Sequence, residues 1–228
     1  METVQLKIIA RIHTDFAEKF GVPRQSGLVP ELQGKIVFEP EFRNADAVRC
    51  MEEYSHLWLI WQFSKAVRED WSPTVRPPRL GGNARIGVFA SRSPFRPNAL
   101  GLSSVKLDKV ELDPELGPVI YVSGVDMVDG TPIFDIKPYL SYADCHPEAT
   151  GGLVGVHKGD PLEVVWCEKT LQAVPLEKRD ALQAVLKEDP RPRYQNDPQR
   201  IYGMTFDGQN IQFRVEERVL YVVGVETL

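Results

Sequence analysis

Residues 55–63, SHLWLIWQF, form an aromatic and branched apolar run suited to a central strand, and this run sets the class of fold the chain can adopt. Others surround it. Val4, Leu6, Ile8, Ala10 and Ile12 alternate with Gln5, Lys7 and Arg11, the period of two expected of a half-buried strand. Residues 35–38, 85–90, 103–111, 119–128 and 133–137 continue the series, and Asn44 can cap one brief helix that runs to about residue 53. Roughly seven short strands with a single helical interruption predict a β-barrel or a sandwich, and a doubly wound βαβ sheet is not expected.

Past Tyr139 the texture changes. Residues 141–158 are rich in glycine and small polar side chains and keep no strong period, so a domain boundary is expected there, dividing the chain into 1–145 and 146–228. Beyond it lie a strand near 162–167 and a helix opened by Pro175, with Leu182, Val185 and Leu186 on one face. Residues 201–206 and 211–215 then flank Asp207-Gly208, a hairpin signal, and 219–226 supply a third strand. The second unit reads as a small α+β domain, and the whole chain as mainly β.

Charge marks a site within this frame. Acids outnumber bases by 32 to 27, yet residues 71–98 hold five arginines (Arg76, Arg79, Arg85, Arg92, Arg96) with no lysine and no acid. Arginine's planar fork matches carboxylate and phosphate, and the prolines and glycines around it shape a defined loop, so the segment suits a specific anionic partner better than a solvated surface. The net charge of −5 argues against indiscriminate nucleic-acid binding and leaves room for a local basic cleft. Cys50, Cys145 and Cys167 are far apart with no histidine at ligand spacing, which predicts reduced thiols and no structural zinc. No run of about 18 apolar residues and no signal-peptide pattern is present, so a cytoplasmic protein is expected.

Three further segments compete for chemistry. KFGVPRQ at 19–25 can present Arg24 and Gln25 from a loop shaped by Gly21 and Pro23, although a short surface loop of this kind is common. In DMVDGTPIFDIKPY at 126–139, Asp129-Gly130 marks a turn, and Asp135, Lys137 and Tyr139 share one strand face. His56 opens the apolar run, where a histidine is more often a rim residue than a catalyst. The phosphate-binding, zinc-protease and serine-hydrolase motifs are missing, which removes the commonest nucleotide and hydrolase chemistries.

Taken together, VPRQ at 22–25, SHLW at 55–58, RPPRLGGNARIGVFASRSPFRPN at 76–98 and DGTPIFDIKPY at 129–139 resemble the TsaA/TrmO-like family, and DPRPRY at 189–194 resembles its small C-terminal domain. The resemblance implies a β-barrel, S-adenosylmethionine-dependent methyltransferase that modifies N6 of threonylcarbamoyladenosine at position 37 of threonine tRNA, acting as a homodimer with the cofactor near the subunit interface. On the same resemblance, Pro23, Arg24, Gln25, His56, Leu57, Arg92, Leu102, Asp129, Gly130, Thr131 and Pro132 fall where the family binds the cofactor. Ala99-Leu100 departs from the family's proline and isoleucine, a change at one loop position.

The implied reaction is an in-line attack by N6 on a sulfonium methyl, in which alignment supplies much of the acceleration. The acyl group on N6 acidifies its N–H, so a carboxylate can assist, and Asp135 is the expected base. Arg76, Arg79, Arg85 and Arg96 are then candidates for RNA phosphates and the threonyl carboxylate, with Lys137 and Tyr139 at the target nucleotide. The alternative from a different class is a non-enzymatic RNA-binding barrel, in which the same arginines grip phosphates and aromatics stack bases.

Overall fold

The computed structural model describes residues 2–68, 70–77, 84–152, 160–191 and 197–228. Its strands, in chain order, are β1 (Ala10–His13), β2 (Gln33–Phe38), β3 (His56–Gln62), β4 (Thr74–Val75), β5 (Ile86–Gly87), β6 (Leu100–Asp113), β7 (Gly117–Ser123), β8 (Thr131–Pro138), β9 (Glu163–Trp166), β10 (Tyr202–Phe206), β11 (Gln209–Glu216) and β12 (Val219–Thr227). Six of them close an antiparallel barrel in the order β1-β2-β7-β6-β3-β8. Closure leaves the barrel without an edge strand, and its inward side chains follow the pleat. Leu57, Leu59 and Trp61 of β3 point in, as do Ser103, Val105 and Leu107 of β6. Of the barrel and sandwich left open by strand pattern, the barrel forms.

Two strands are shorter than their apolar pattern. β1 starts at Ala10, while Val4 and Leu6 are 83% and 56% exposed, because only from Ile9 onward do β2 and β8 flank the chain on both sides. Alternation without partners makes no strand. β7 stops at Ser123, where Gly124 takes φ +78° and sits so close to Gly27 that a Cβ would meet its backbone at 3.3 Å. Gly124 donates to Leu32 O and accepts from Gly27 N–H. The chain therefore leaves the sheet, and residues 125–128, apart from Asp126, are buried without being a strand. The helix expected after Asn44 is two 3-10 turns, Ala45–Val48 and Met51–Glu53, the first capped by Asn44 Oδ1 accepting from Asp46 N–H.

The C-terminal segment forms a four-stranded sheet, β10-β11-β12-β9, in which only the β12–β9 pair is parallel. The helix Arg179–Lys187 buries Ala181, Leu182, Val185 and Leu186 against it. A second helix, Glu168–Ala173, was not expected from the sequence, since its six residues are too few to display a period.

The sheet and the barrel meet at residues 15–20. Phe16 is fully buried and sets its ring edge-on to Phe206 at 5.3 Å, and Phe20 stacks on Phe213 at 6.4 Å. Asp207 N–H donates to Asp15 O at 2.8 Å, and Lys178 pairs with the Asp15 carboxylate. This seam lies immediately before the VPRQ segment. The three cysteines are free and exposed, and among the described residues no cluster of metal-ligating side chains forms and no helix is long and apolar enough to cross a membrane.

Candidate functional site

A cleft of about 600 Å³ opens at one end of the barrel. Four stretches distant in sequence line it: the loop 22–26, the end of β3 with residues 62–66, the loop 91–96 running into β6, and the segment 126–128 with Thr131. Trp61, Phe63, Leu102 and Val128 give its lining apolar surface, and Trp61 packs edge-on to Phe63 at 4.3 Å. Its charge is one-sided. Lys19, Arg24, Lys65, Arg92 and Arg96 line it, and among the described residues Asp126 is its only acid.

The arginine loop folds by binding itself. Arg96 Nη1 donates to the carbonyls of Ser91 at 2.9 Å and Ser93 at 3.2 Å, and Ser91 Oγ donates to Val88 O at 2.8 Å. Arg92 is left to reach across and donate to Gln25 Oε1, joining the arginine loop to the VPRQ loop. This bridge closes one wall of the cleft.

Beside the bridge lies a relay. Trp61 Nε1 donates to Ser103 Oγ at 2.9 Å, and Ser103 Oγ donates to Asp126 Oδ1 at 2.6 Å. Gly101 makes it possible. It sits opposite Trp61 across the β3–β6 ladder, and a Cβ there would come within 2.3 Å of the indole. Burial pushes the Asp126 carboxyl up to about 6, against the contrary pull of the Ser103 hydroxyl, the N–H groups of Asp126 and Ser26, and the Arg92 guanidinium.

That shift has a sign in stability. A carboxyl protonated more readily in the folded than in the unfolded chain stabilises the fold fully below the unfolded value near 4, and this contribution is lost as pH rises through about 6. The loss is on the order of 3 kcal/mol, complete by neutral pH. Asp126→Asn is therefore expected to raise Tm by several degrees at pH 7.5 and to show little gain at pH 4, by differential scanning calorimetry across that range.

Of the residues singled out from sequence, Pro23, Arg24, Gln25, Arg92, Leu102 and Thr131 converge on this cleft, with Arg96 beside them. The others lie elsewhere. Leu57 is 1% exposed inside the barrel, and His56, exposed at the start of β3, bonds to its neighbour Ser55 at 2.9 Å. Asp129 braces the barrel end by accepting from Thr14 N–H at 3.1 Å and pairing with His13, while Gly130 O accepts from Arg11, and Pro132 lies in the β1–β8 ladder. Asp135 is on the outer face of β8, 45% exposed and paired with Lys137 at 2.9 Å, away from the cleft lining. Tyr139 packs on Trp58 at 5.6 Å; Arg76 and Arg85 are exposed outside the cleft lining; Arg79 lies outside the described residues.

Sequence reasoning missed Asp126, Ser103 and Trp61 as members of one site. The signal was an acid enclosed by Val125, Met127 and Val128, a setting in which a carboxylate is buried only with partners. Reading 119–128 as one strand hid it.

Residues 11–145 match the tRNA-methyltransferase O N-terminal domain, and residues 160–228 match the TrmO C-terminal domain. The chain is 38% identical over 234 residues to the tRNA (adenine(37)-N6)-methyltransferase of Escherichia coli strain K12, covering 99% of each. It is 43% identical to the enzyme of that name from Eikenella corrodens over 75% of this chain and 97% of the relative. A solved structure described as TrmO from Pseudomonas aeruginosa superposes with a TM-score of 0.82 at 29% identity, covering 100% of this chain and 99% of the other. With both domains matched in order, in a chain whose barrel and C-terminal sheet follow that solved structure, the protein belongs to the TrmO family.

Proposed function

We propose that the cleft binds S-adenosylmethionine and that the chain transfers its methyl group to N6 of adenosine 37 in tRNA, the base being threonylcarbamoyladenosine in threonine tRNA. The observation that carries this reading is the convergence of the VPRQ loop, the arginine loop and the segment through Thr131 on one cleft, bridged by Arg92 and Gln25. Relatives described as tRNA (adenine(37)-N6)-methyltransferases and as putative S-adenosylmethionine-dependent methyltransferases support it.

The residues present fit such a ligand. A volume of about 600 Å³ is in the range of pockets that enclose a nucleoside-sized molecule. Phe63, Leu102 and Val128 supply apolar lining against which an adenine ring can pack, and the guanidinium of Arg92 suits a carboxylate. When bound, S-adenosylmethionine supplies an electrophilic methyl group. The protein's part is to hold donor and acceptor in line and to exclude water, the source of much of the acceleration in such a displacement.

Lys19, Lys65 and Arg96 at the cleft, with Arg76 and Arg85 beyond it, provide positive charge for the phosphates of an anticodon loop. Leu100 and Leu102 stand 37% and 57% exposed on the outer face of β6, next to Trp58, and this apolar strip suits a homodimer whose interface borders the cleft. On this reading the enzyme works in the cytoplasm, where it meets its tRNA.

Mass spectrometry of position 37 in threonine tRNA from cells with and without the gene tests the reading. Loss of the methyl group from the modified nucleoside is expected, and an unchanged nucleoside overturns it. Arg92→Ala is expected to weaken S-adenosylmethionine binding about 10- to 100-fold by calorimetry, the loss of charge-assisted hydrogen bonds plus the bridge to Gln25. A failure of the wild-type protein to bind the cofactor would return the chain to the RNA-binding-barrel reading.

A further inference from the structure

We propose that Asp126, held by the Trp61–Ser103 relay at the wall of the cleft, accepts the proton from the N6–H of the target base. The inference rests on the reading that the cleft holds both methyl donor and target.

The geometry selects this residue. Asp126 is the only acid among the described residues lining a cleft that also presents Lys19 and Arg24 from the first loop, Lys65 from the end of β3, and Arg92 and Arg96 from the arginine loop. Of these cations Arg92 acts on the carboxylate directly, and the N–H groups of Ser26 and of Asp126 itself also face it. Asp129, three residues on, is turned away to His13 and Thr14. Asp135, the carboxylate that the sequence suggested, is paired with Lys137 outside the cleft lining.

Ser103 fixes the state of the acceptor. Its oxygen receives the Trp61 N–H, and its own hydrogen is directed at Asp126 Oδ1, so the relay presents an ionised carboxylate in one orientation. The same relay holds the largely buried carboxylate in one orientation, the arrangement that lets a carboxylate act as a base near neutral pH. A base with its carboxyl at about 6 is ionised at pH 7 without being too weak to take a proton from an acylated amine.

The N6–H proton passes to the Asp126 carboxylate while the N6 lone pair forms the new bond to the methyl carbon, and the carbon–sulfur bond breaks with its electron pair remaining on sulfur. The products are the N6-methylated base and S-adenosylhomocysteine, and Asp126 then returns its proton to solvent.

The test combines calorimetry with single-turnover methylation of threonine tRNA on Asp126→Asn, Asp126→Glu and the wild type from pH 5 to 9. The expected result for Asp126→Asn is cofactor affinity within about threefold of wild type, a single-turnover rate lowered roughly 10²- to 10⁴-fold, and loss of the acidic limb expected of the wild type near pH 6. Asp126→Glu should restore part of the rate together with a limb. Two outcomes overturn the proposal: an unchanged rate and limb in Asp126→Asn, or a loss of cofactor affinity above tenfold with the limb retained, which makes the carboxylate a holder of the donor's ammonium group. Failure of the wild type to bind S-adenosylmethionine or to methylate the tRNA sinks the underlying reading, and this is seen before any variant is compared.

Discussion

Truncating Phe206 to alanine is expected to cost about 3–5 kcal/mol, measured by urea unfolding, because the ring is fully buried at the seam between C-terminal sheet and barrel. The loss should not stop at stability. Phe206 faces Phe16, and residues 15–20 lead directly into the loop that lines the cleft, so S-adenosylmethionine affinity should fall in the folded fraction as well. Val223→Ala, in the same sheet with Val223 43% exposed, should change stability by less than about 0.5 kcal/mol and leave affinity alone. An affinity unaffected by Phe206→Ala in protein that remains folded would show that the seam does not shape the cleft.

Gly101→Ala is expected to be costly for one added methyl group, about 1–3 kcal/mol. The Cβ would lie 2.3–2.6 Å from three atoms of the Trp61 indole, and that indole is 5% exposed with Phe63 packed on it. Trp61 must move, and its N–H then no longer reaches Ser103, which orients Asp126. Near-ultraviolet circular dichroism should report the altered indole, and methyl transfer should fall further than cofactor binding. A native spectrum with full activity would mean that β6 yields and that the relay is looser than its distances indicate.

The barrel was legible because its strands are written as short apolar runs rich in branched and aromatic residues, with SHLWLIWQF the plainest. Where the reading overran, the reason was long-range. Val4 to Ile8 have the pattern of β1 but lack neighbours on both sides, and Val119 to Val128 look continuous although a positive φ at Gly124 turns the chain out of the sheet. The site was legible in the same measure. Pro23, Arg24, Gln25, Arg92, Leu102 and Thr131 could be named from motif resemblance and do meet at one cleft. The relay could not, since Trp61, Ser103 and Asp126 are joined only by barrel register and by the excursion after Gly124, neither of which has a local signature. Asp135 and Lys137 illustrate the converse, as their shared strand face is real but spends its charges on one another.

The seam also gives the molecule a remote reporter. Residues 15–22 are tied at one end to the C-terminal sheet, through Phe206, Lys178 and the Asp207 N–H, and at the other they open into the cleft at Pro23. Two events that draw on one segment are thermodynamically linked, and the factor by which the docked sheet tightens a ligand equals the factor by which the ligand tightens the docking. Filling the cleft should therefore slow amide exchange at Asp207, whose hydrogen bond to Asp15 lies on the far side of that segment.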